Sequence, residues 1–122
     1  MKFTFSREER LKSKEILASL FSKGSHFVFP PLHVRYLNTP SNKNTVQVAF
    51  TVPKKKFKRA VDRNLLKRRM REAYRLNKSL IEEKSQSELK ELSIIFIYSS
   101  RLILSAEKIE TAMLNFMNQR KI

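Results

Sequence analysis

The segment from Lys54 to Lys78 constrains this 122-residue chain more than any other stretch. It holds twelve Lys and Arg residues against two acidic residues, Asp62 and Glu72, and so carries +10 of the formal net charge of +15. From about Ala60 onward it is rich in good helix formers and contains neither Gly nor Pro. We therefore predict a helix that packs one side into a core and presents cations on the other.

The two sides of this helix can be assigned from a rotation of about 100° per residue. One side carries Leu66, Met70 and Ala73. Exposed helix faces usually mix charges of opposite sign at i,i+4, whereas this one stacks like charges, which costs stability unless a polyanion neutralises them. The pattern thus predicts nucleic-acid binding by an opposite arc of about 140° that contains Arg63, Asn64, Lys67, Arg68, Arg71 and Arg75.

Asn64 lies in the middle of this arc, although Asn is a poor residue for a helix interior. One interpretation is an indifferent surface residue. The other is a neutral donor and acceptor for a phosphate, a 2′-hydroxyl or a base edge.

Residues 58–72, KRAVDRNLLKRRMRE, resemble the signature of the bacterial ribonuclease P protein subunit. In that family, Arg-Asn-Arg, one further residue and Lys-Arg lie on a helix behind a basic loop. The second Arg of the signature is Leu65 here, and Arg69, within about 40° of it on the helix, is the candidate to compensate. The matching positions are Ala60, Val61, Arg63, Asn64, Lys67, Arg68 and Arg71, and Lys54 and Lys55 after Val52 match the lysine pair before the family's helix.

Composition limits the protein class. At 122 residues the chain is expected to form one domain, residues 1–122, with its own core. It contains no Cys, which excludes disulfides and thiolate metal sites. No apolar run approaches the roughly 20 residues that span a bilayer, and the N-terminus lacks the apolar core of a signal peptide. We therefore expect a cytoplasmic protein with no membrane partner.

The first third of the chain predicts a helix and a strand. Ile16, Leu17, Leu20 and Phe21 have the spacing of a buried helical face that ends near Lys23. Ser6 with Glu9, or alternatively Ser13, is the candidate N-cap, and Gly24 is placed to end the helix in a left-handed conformation. Alternation of apolar residues over 32–37 predicts a strand.

The remaining elements complete an α+β pattern. A second strand is predicted over 46–52, joined to the first by a hairpin loop at 38–44, and a strand covered on both faces at 93–98. Residues 82–92 are expected to be a fraying helix end and a surface connection. Ser105 is the expected N-cap of a last helix. The order α-β-β-α-β-α, with an additional short strand near 27–29 as an option, predicts a two-layer α/β sandwich with a small mixed sheet.

The sequence offers little catalytic chemistry. Asp62 is the only Asp, and a two-metal nuclease needs several converging carboxylates. His33 could act as a general base, but a His at an outward strand position is usually just solvated. The resemblance instead implies that an RNA subunit performs the hydrolysis with Mg²⁺. This protein would bind no cofactor alone, and would bind that catalytic RNA subunit and the single-stranded 5′ leader of precursor tRNA.

Two RNA-facing surfaces follow from the resemblance. The leader cleft maps to Leu17, Phe21 and Arg35, of which only Phe21 is aromatic, so Arg35 is expected to stack through its guanidinium plane. Core packing of Leu17 and Phe21 is an equal alternative. The surface for the catalytic RNA comprises Lys54, Lys55, Lys56, Lys58, Arg59, Arg63, Asn64, Lys67, Arg68, Arg71 and Arg75.

A rival function uses the same basic helix for its charge alone. A structural ribosome-associated protein or a general chromosome-binding protein would need no leader cleft. The RNA or DNA that accompanies the protein from cells distinguishes them, and the resemblance predicts one structured RNA rather than DNA.

Overall fold

The computed structural model describes residues 14–40, 46–87 and 90–118. Within these ranges the chain is α+β, as predicted. The helices and strands follow the order α1 (Lys14–Lys23), β1 (Ser25–Phe29), β2 (Leu32–Pro40), β3 (Val46–Thr51), α2 (Ala60–Asn77), α3 (Ser79–Ser87), β4 (Lys90–Tyr98) and α4 (Ala106–Met117). The optional short strand near 27–29 is β1. The proposed caps at Ser6 and Ser13 lie outside the described residues.

The strands form a mixed sheet in the order β1-β2-β4-β3. β1 and β2 are antiparallel and joined by the turn at Pro30-Pro31, whose peptide bond is cis. β4 pairs antiparallel with β2 and parallel with β3, with Tyr36 opposite Ile94 and Val48 opposite Ile94 on the other side. The predicted small mixed sheet is thus confirmed.

The predicted hairpin between β2 and β3 is wrong, because β4 lies between them. β4 buries Ile94 and Phe96 on one face and Ile95 on the other, whereas β3 has Gln47 and Thr51 on its second face. A strand that is apolar on both faces gains most from a central position. β4 also begins at Lys90 rather than Ser93, and part of the expected surface connection is the helix α3.

Helices cover the two faces of the sheet unequally. The main core joins α2 and α4 to one face through fully buried side chains that include Leu66, Met70 and Phe116, with Phe96 from β4 beneath them. On the other face α1 packs Leu20 against Ile95. Ser105 caps α4 as predicted, since its hydroxyl accepts a hydrogen bond from the backbone N–H of Lys108 at 3.3 Å.

Gly24 ends α1, but the expected left-handed conformation is wrong, because its φ is not positive. The reason for glycine is lack of space. A Cβ at this position would lie 2.5 Å from the carbonyl oxygen of Leu20 and 3.0 Å from that of Tyr36. The end of α1 therefore lies directly against the backbone of β2.

This close approach predicts that Gly24→Ala lowers the free energy of unfolding by about 1–3 kcal/mol, the usual cost of forcing extra volume into a packed site. Urea denaturation measures the change. Ser22→Ala is the matched control, since Ser22 is exposed and its hydroxyl donates to the carbonyl of Ala18 within the same helix. Equal midpoints for the two variants would contradict the packing argument.

Candidate nucleic-acid interface

α2 presents the predicted basic face. Leu66, Met70 and Ala73 are buried as predicted, and Tyr74, which the sequence analysis did not include, completes the buried stripe. This stripe fixes the rotation of the helix, so its opposite side faces outward. A cavity of about 520 Å³ runs along that side and is lined by Val61, Asn64, Leu65, Lys67, Arg68 and Arg71.

The cavity is lined by both apolar and cationic side chains. Val61 and Leu65 supply the apolar surface, and Val61 is among the most exposed large apolar residues. Lys67, Arg68 and Arg71 supply the charge. Such a lining brings together groups that can pair with a phosphate and groups that can pack against the apolar part of a ribose or base.

Arg63 is partly used to fold the protein. Its Nη1 donates hydrogen bonds of 2.8 Å to the backbone carbonyls of Phe57 and Lys58. The side chain is half-buried. Arg63 thus ties the first turn of α2 to the preceding loop. Its charge lies between the cations of that loop and those farther along α2.

The loop Lys54–Arg59, here called the basic loop, is anchored at its centre. Phe57 is buried edge-on against Tyr98, with ring centroids 5.7 Å apart, and Lys56 Nζ donates to the carbonyl of Ser99. This anchoring leaves exposed cations on both sides, at Lys54, Lys55, Lys58 and Arg59.

Arg75 differs from the other cations of the predicted arc. It forms an ion pair of 2.8 Å with Glu72 in the last turns of α2. The hydrogen bond from Arg75 lowers the pKa of the Glu72 carboxyl. Much of the charge of Arg75 is therefore offset within the protein.

Arg69 does not occupy the place of the missing signature Arg at position 65. Its Nη1 donates a 2.6 Å hydrogen bond to the carbonyl of Leu104, in the loop that leads into α4. Leu65 is half-buried and lines the cavity. The guanidinium of Arg69 thus serves the fold rather than the exposed face.

The residues predicted for a leader cleft come together on the other face of the sheet. Phe21 is 51% exposed, and the guanidinium carbon of Arg35 lies 5.3 Å from its ring centroid. Arg35 also donates to the carbonyl of Phe21 at 3.4 Å. Leu17 is half-buried and packs against the small cluster of Leu20 and Ile95. Phe21 is therefore a surface residue, whereas Leu17 contributes to packing.

His26 and His33 lie beside Arg35 on this same face, a grouping that the sequence analysis missed. His26 is paired with Arg35 across β1 and β2, and Nε2 of His26 is 3.3 Å from Nδ1 of His33. The alternation of β2 already placed His33 and Arg35 on one face. Only recognition of Pro30-Pro31 as a hairpin turn would have added His26.

Within residues 14–40, 46–87 and 90–118, no three His, Cys, Asp or Glu side chains form a group that could hold a metal ion. In the same ranges no helix is both long and apolar enough to cross a membrane.

Comparison with known proteins identifies the family. The sequence model of the family described as Ribonuclease P matches residues 5–120. The chain belongs to the ribonuclease P protein family. It is 37% identical over 112 residues to the "Ribonuclease P protein component" of Porphyromonas gingivalis, covering 91% of this chain and 82% of that one. A component from Chlorobium phaeobacteroides is 34% identical over 106 residues, covering 84% and 73%.

Solved structures confirm the fold. The ribonuclease P protein from Thermotoga maritima superposes with a TM-score of 0.71 at 23% identity, covering 93% of this chain and 97% of that chain. The Staphylococcus aureus ribonuclease P protein gives a TM-score of 0.63 at 22% identity, covering 88% and 90%. The family resemblance drawn from residues 58–72 is thus confirmed, and it makes the chain a protein component of an endoribonuclease of tRNA processing that works with an RNA partner.

The hydrogen bond from Arg69 to Leu104 predicts a structural role. Arg69→Met should lower the free energy of unfolding by about 1.5–3 kcal/mol, the usual worth of a hydrogen bond from a charged donor, because the Leu104 carbonyl loses its partner. Chemical denaturation measures this. Arg68→Met, at the exposed neighbouring position, should leave stability within about 0.5 kcal/mol. An unchanged stability for Arg69→Met together with weaker RNA binding would show instead that Arg69 replaces the missing Arg.

Proposed function

We propose that the protein binds the catalytic RNA subunit of ribonuclease P and the single-stranded 5′ leader of precursor tRNA. By doing so it assists endonucleolytic removal of the leader, which creates the mature 5′ end of tRNA. The hydrolysis belongs to the RNA subunit with Mg²⁺, and the protein alone binds no cofactor. It works in the cytoplasm, with neither DNA nor a membrane as its partner.

The exposed cationic side of α2 is the observation that carries the RNA-binding proposal. Lys67, Arg68 and Arg71 are held on one rigid helix because the opposite stripe is buried. Neighbouring like charges on a helix repel each other and destabilise the free protein. A bound polyanion removes this repulsion, which favours binding. The basic loop extends the same surface through four exposed cations.

The assignment of hydrolysis to the RNA rests on the side chains available. Metal-dependent phosphodiester hydrolysis needs carboxylates that converge on ions about 3.5–4 Å apart. Asp62 stands in the first turn of α2, and the described part of the chain brings no metal-binding group of three around it. The surface of this protein is suited to holding RNA rather than cleaving it.

The leader cleft is proposed at the contact of Phe21 with Arg35. An exposed ring and a guanidinium plane 5.3 Å apart are two surfaces on which single-stranded bases stack. Leu17 forms the apolar base of this cleft between α1 and the sheet. The cleft and the basic face of α2 lie on different faces of the sheet, so their contributions can be separated experimentally.

Salt dependence tests the basic face. If α2 and the basic loop neutralise about six phosphates, log K for the catalytic RNA should fall with log[salt] with a slope of roughly −4 to −5. Arg68→Ala and Arg71→Ala should each make the slope shallower by about 0.7–0.9. Arg101→Ala, at an exposed position after β4, should leave it unchanged.

A wild-type slope near −1 would contradict the proposal, since it would mean that the RNA neutralises about one cation and that the charge of α2 stays in solvent. A DNA duplex of similar length is the second arm of this measurement. Equal affinity for DNA and for the catalytic RNA would favour a general nucleic-acid-binding protein.

The leader cleft predicts a difference between substrates. Arg35→Ala should weaken holoenzyme binding of precursor tRNA by about 1–3 kcal/mol, the usual worth of one stacking contact. It should barely change binding of mature tRNA, which has no leader. Arg35→Lys separates the two roles of the side chain, because it keeps the charge but loses the stacking plane. Equal losses for precursor and mature tRNA would leave Arg35 as an ordinary surface charge.

A further inference from the structure

His26 and His33 continue a strip of planar side chains that begins at Phe21 and Arg35. His26 on β1 stands opposite Arg35 on β2, and His33 is two residues before Arg35 on the same strand face. Their imidazole rings have centroids 5.2 Å apart and are tilted by 43°. Four planar groups thus follow one another in the order Phe21, Arg35, His26 and His33 across a face that α1 covers only in part.

The far end of this strip approaches the basic loop. Lys56 of that loop acts electrostatically on His33, and its Nζ donates to the carbonyl of Ser99. Ser99 in turn donates its backbone N–H to the carbonyl of Pro31, in the turn next to His33. The strip therefore connects the leader cleft to the surface proposed for the catalytic RNA.

The groups around the pair favour an anion over a cation. Two imidazole nitrogens 3.3 Å apart could in principle share a metal ion, but the described residues supply no third ligand. The charges that act on His33 come from Arg35 on its own strand, His26 on β1 and Lys56 in the basic loop. All three are cationic when charged, so they attract phosphate and repel metal ions.

We propose that His26 and His33 contact the single-stranded leader and guide it between the Phe21–Arg35 cleft and the basic loop. This inference rests on the proposed leader binding and names further residues for it. The imidazole rings stack on bases, and their N–H groups donate to phosphate oxygens. The spacing from His33 to Arg35, two residues of strand or about 6.6 Å, allows successive nucleotides to engage successive side chains.

The pair also makes leader binding dependent on pH. Burial, followed by the charges of His26, Lys56 and Arg35, lowers the pKa of His33, so this side chain is neutral in the free protein at neutral pH. A phosphate brought next to it favours the cation and raises its pKa in the complex. Leader binding then takes up a proton, and the gain in affinity is present at low pH and lost as pH rises through the pKa of the complex.

The test uses the assembled holoenzyme and precursor tRNAs whose leaders are shortened one nucleotide at a time. The doubly substituted protein, with His26→Ala and His33→Ala, should bind the long-leader precursor at least about fivefold more weakly. The loss should vanish for leaders too short to reach the pair and for mature tRNA. Gln47→Ala is the matched control, since Gln47 lies on the same sheet face but on β3 at the other edge.

A second variant tests the titration. In a protein with His26→Phe and His33→Phe, both aromatic rings can still stack on bases, but neither ring can take up a proton. At about pH 8 this protein should bind long leaders more tightly than the doubly alanine-substituted protein, and it should lose the rise in affinity toward about pH 6 that the wild type shows. The same slope of affinity with pH in both proteins would overturn the proposed proton uptake.

The outcomes separate this inference from the function on which it rests. A loss for Arg35→Ala with none for the histidine variants would keep the leader cleft and overturn the histidine path. No loss for any of them would overturn the leader cleft itself. Because His26 is exposed and His33 half-buried, thermal melting of the alanine variants should match the wild type. A large drop in melting temperature would assign the pair a structural role instead.

Discussion

The burial of β4 on both faces is the constraint on which the rest of the structure depends. Ile94 and Phe96 join the core under α2 and α4, while Ile95 supports α1 on the opposite face. Because both faces of β4 must be covered, β4 lies between β2 and β3. In a simple hairpin, β2 and β3 would instead be direct neighbours. The same requirement holds α2 and α4 on one face of the sheet and α1 on the other, and α2 and α1 each carry part of one proposed RNA surface. The separation of the two surfaces thus follows from the burial of both faces of β4.

Two groups of cations within residues 54–78 have different roles, apart from Arg75 and Lys78, which form ion pairs with Glu72 and Glu82. Lys56, Arg63 and Arg69 donate to backbone carbonyls of Ser99, of Phe57 and Lys58, and of Leu104, and so join α2 to its neighbouring loops. Buried or half-buried carbonyls need such partners, and a long charged side chain can reach them while its stem covers apolar surface. These contacts hold in place the cations that line the cavity and the exposed cations of the basic loop.

The local part of this structure could be predicted from the sequence, and the non-local part could not. The start of α2 near Ala60 and its buried side follow from helix propensity and a 3.6-residue period, which neighbours in the chain determine. The position of β4 depends on partners more than 40 residues away, and so does the acceptor of Lys56. Gly24 shows the same limit: its place at a helix end was predictable, but the reason for it, the carbonyl of Tyr36, belongs to another strand.

The departure of this member from its family signature at Leu65 has a physical consequence for α2. An Arg there would add a charge beside Arg68 and raise the repulsion on a face that is already crowded with cations. Leu65 instead lines the cavity together with Val61, and Arg69, one turn on, donates to the carbonyl of Leu104. In the proposed RNA complex, one cation fewer on α2 would reduce the salt-sensitive part of binding, while the apolar surface of Val61 and Leu65 would add a part that salt does not screen. The Leu at position 65 would therefore make the proposed RNA binding by α2 depend less on charge and more on apolar contact.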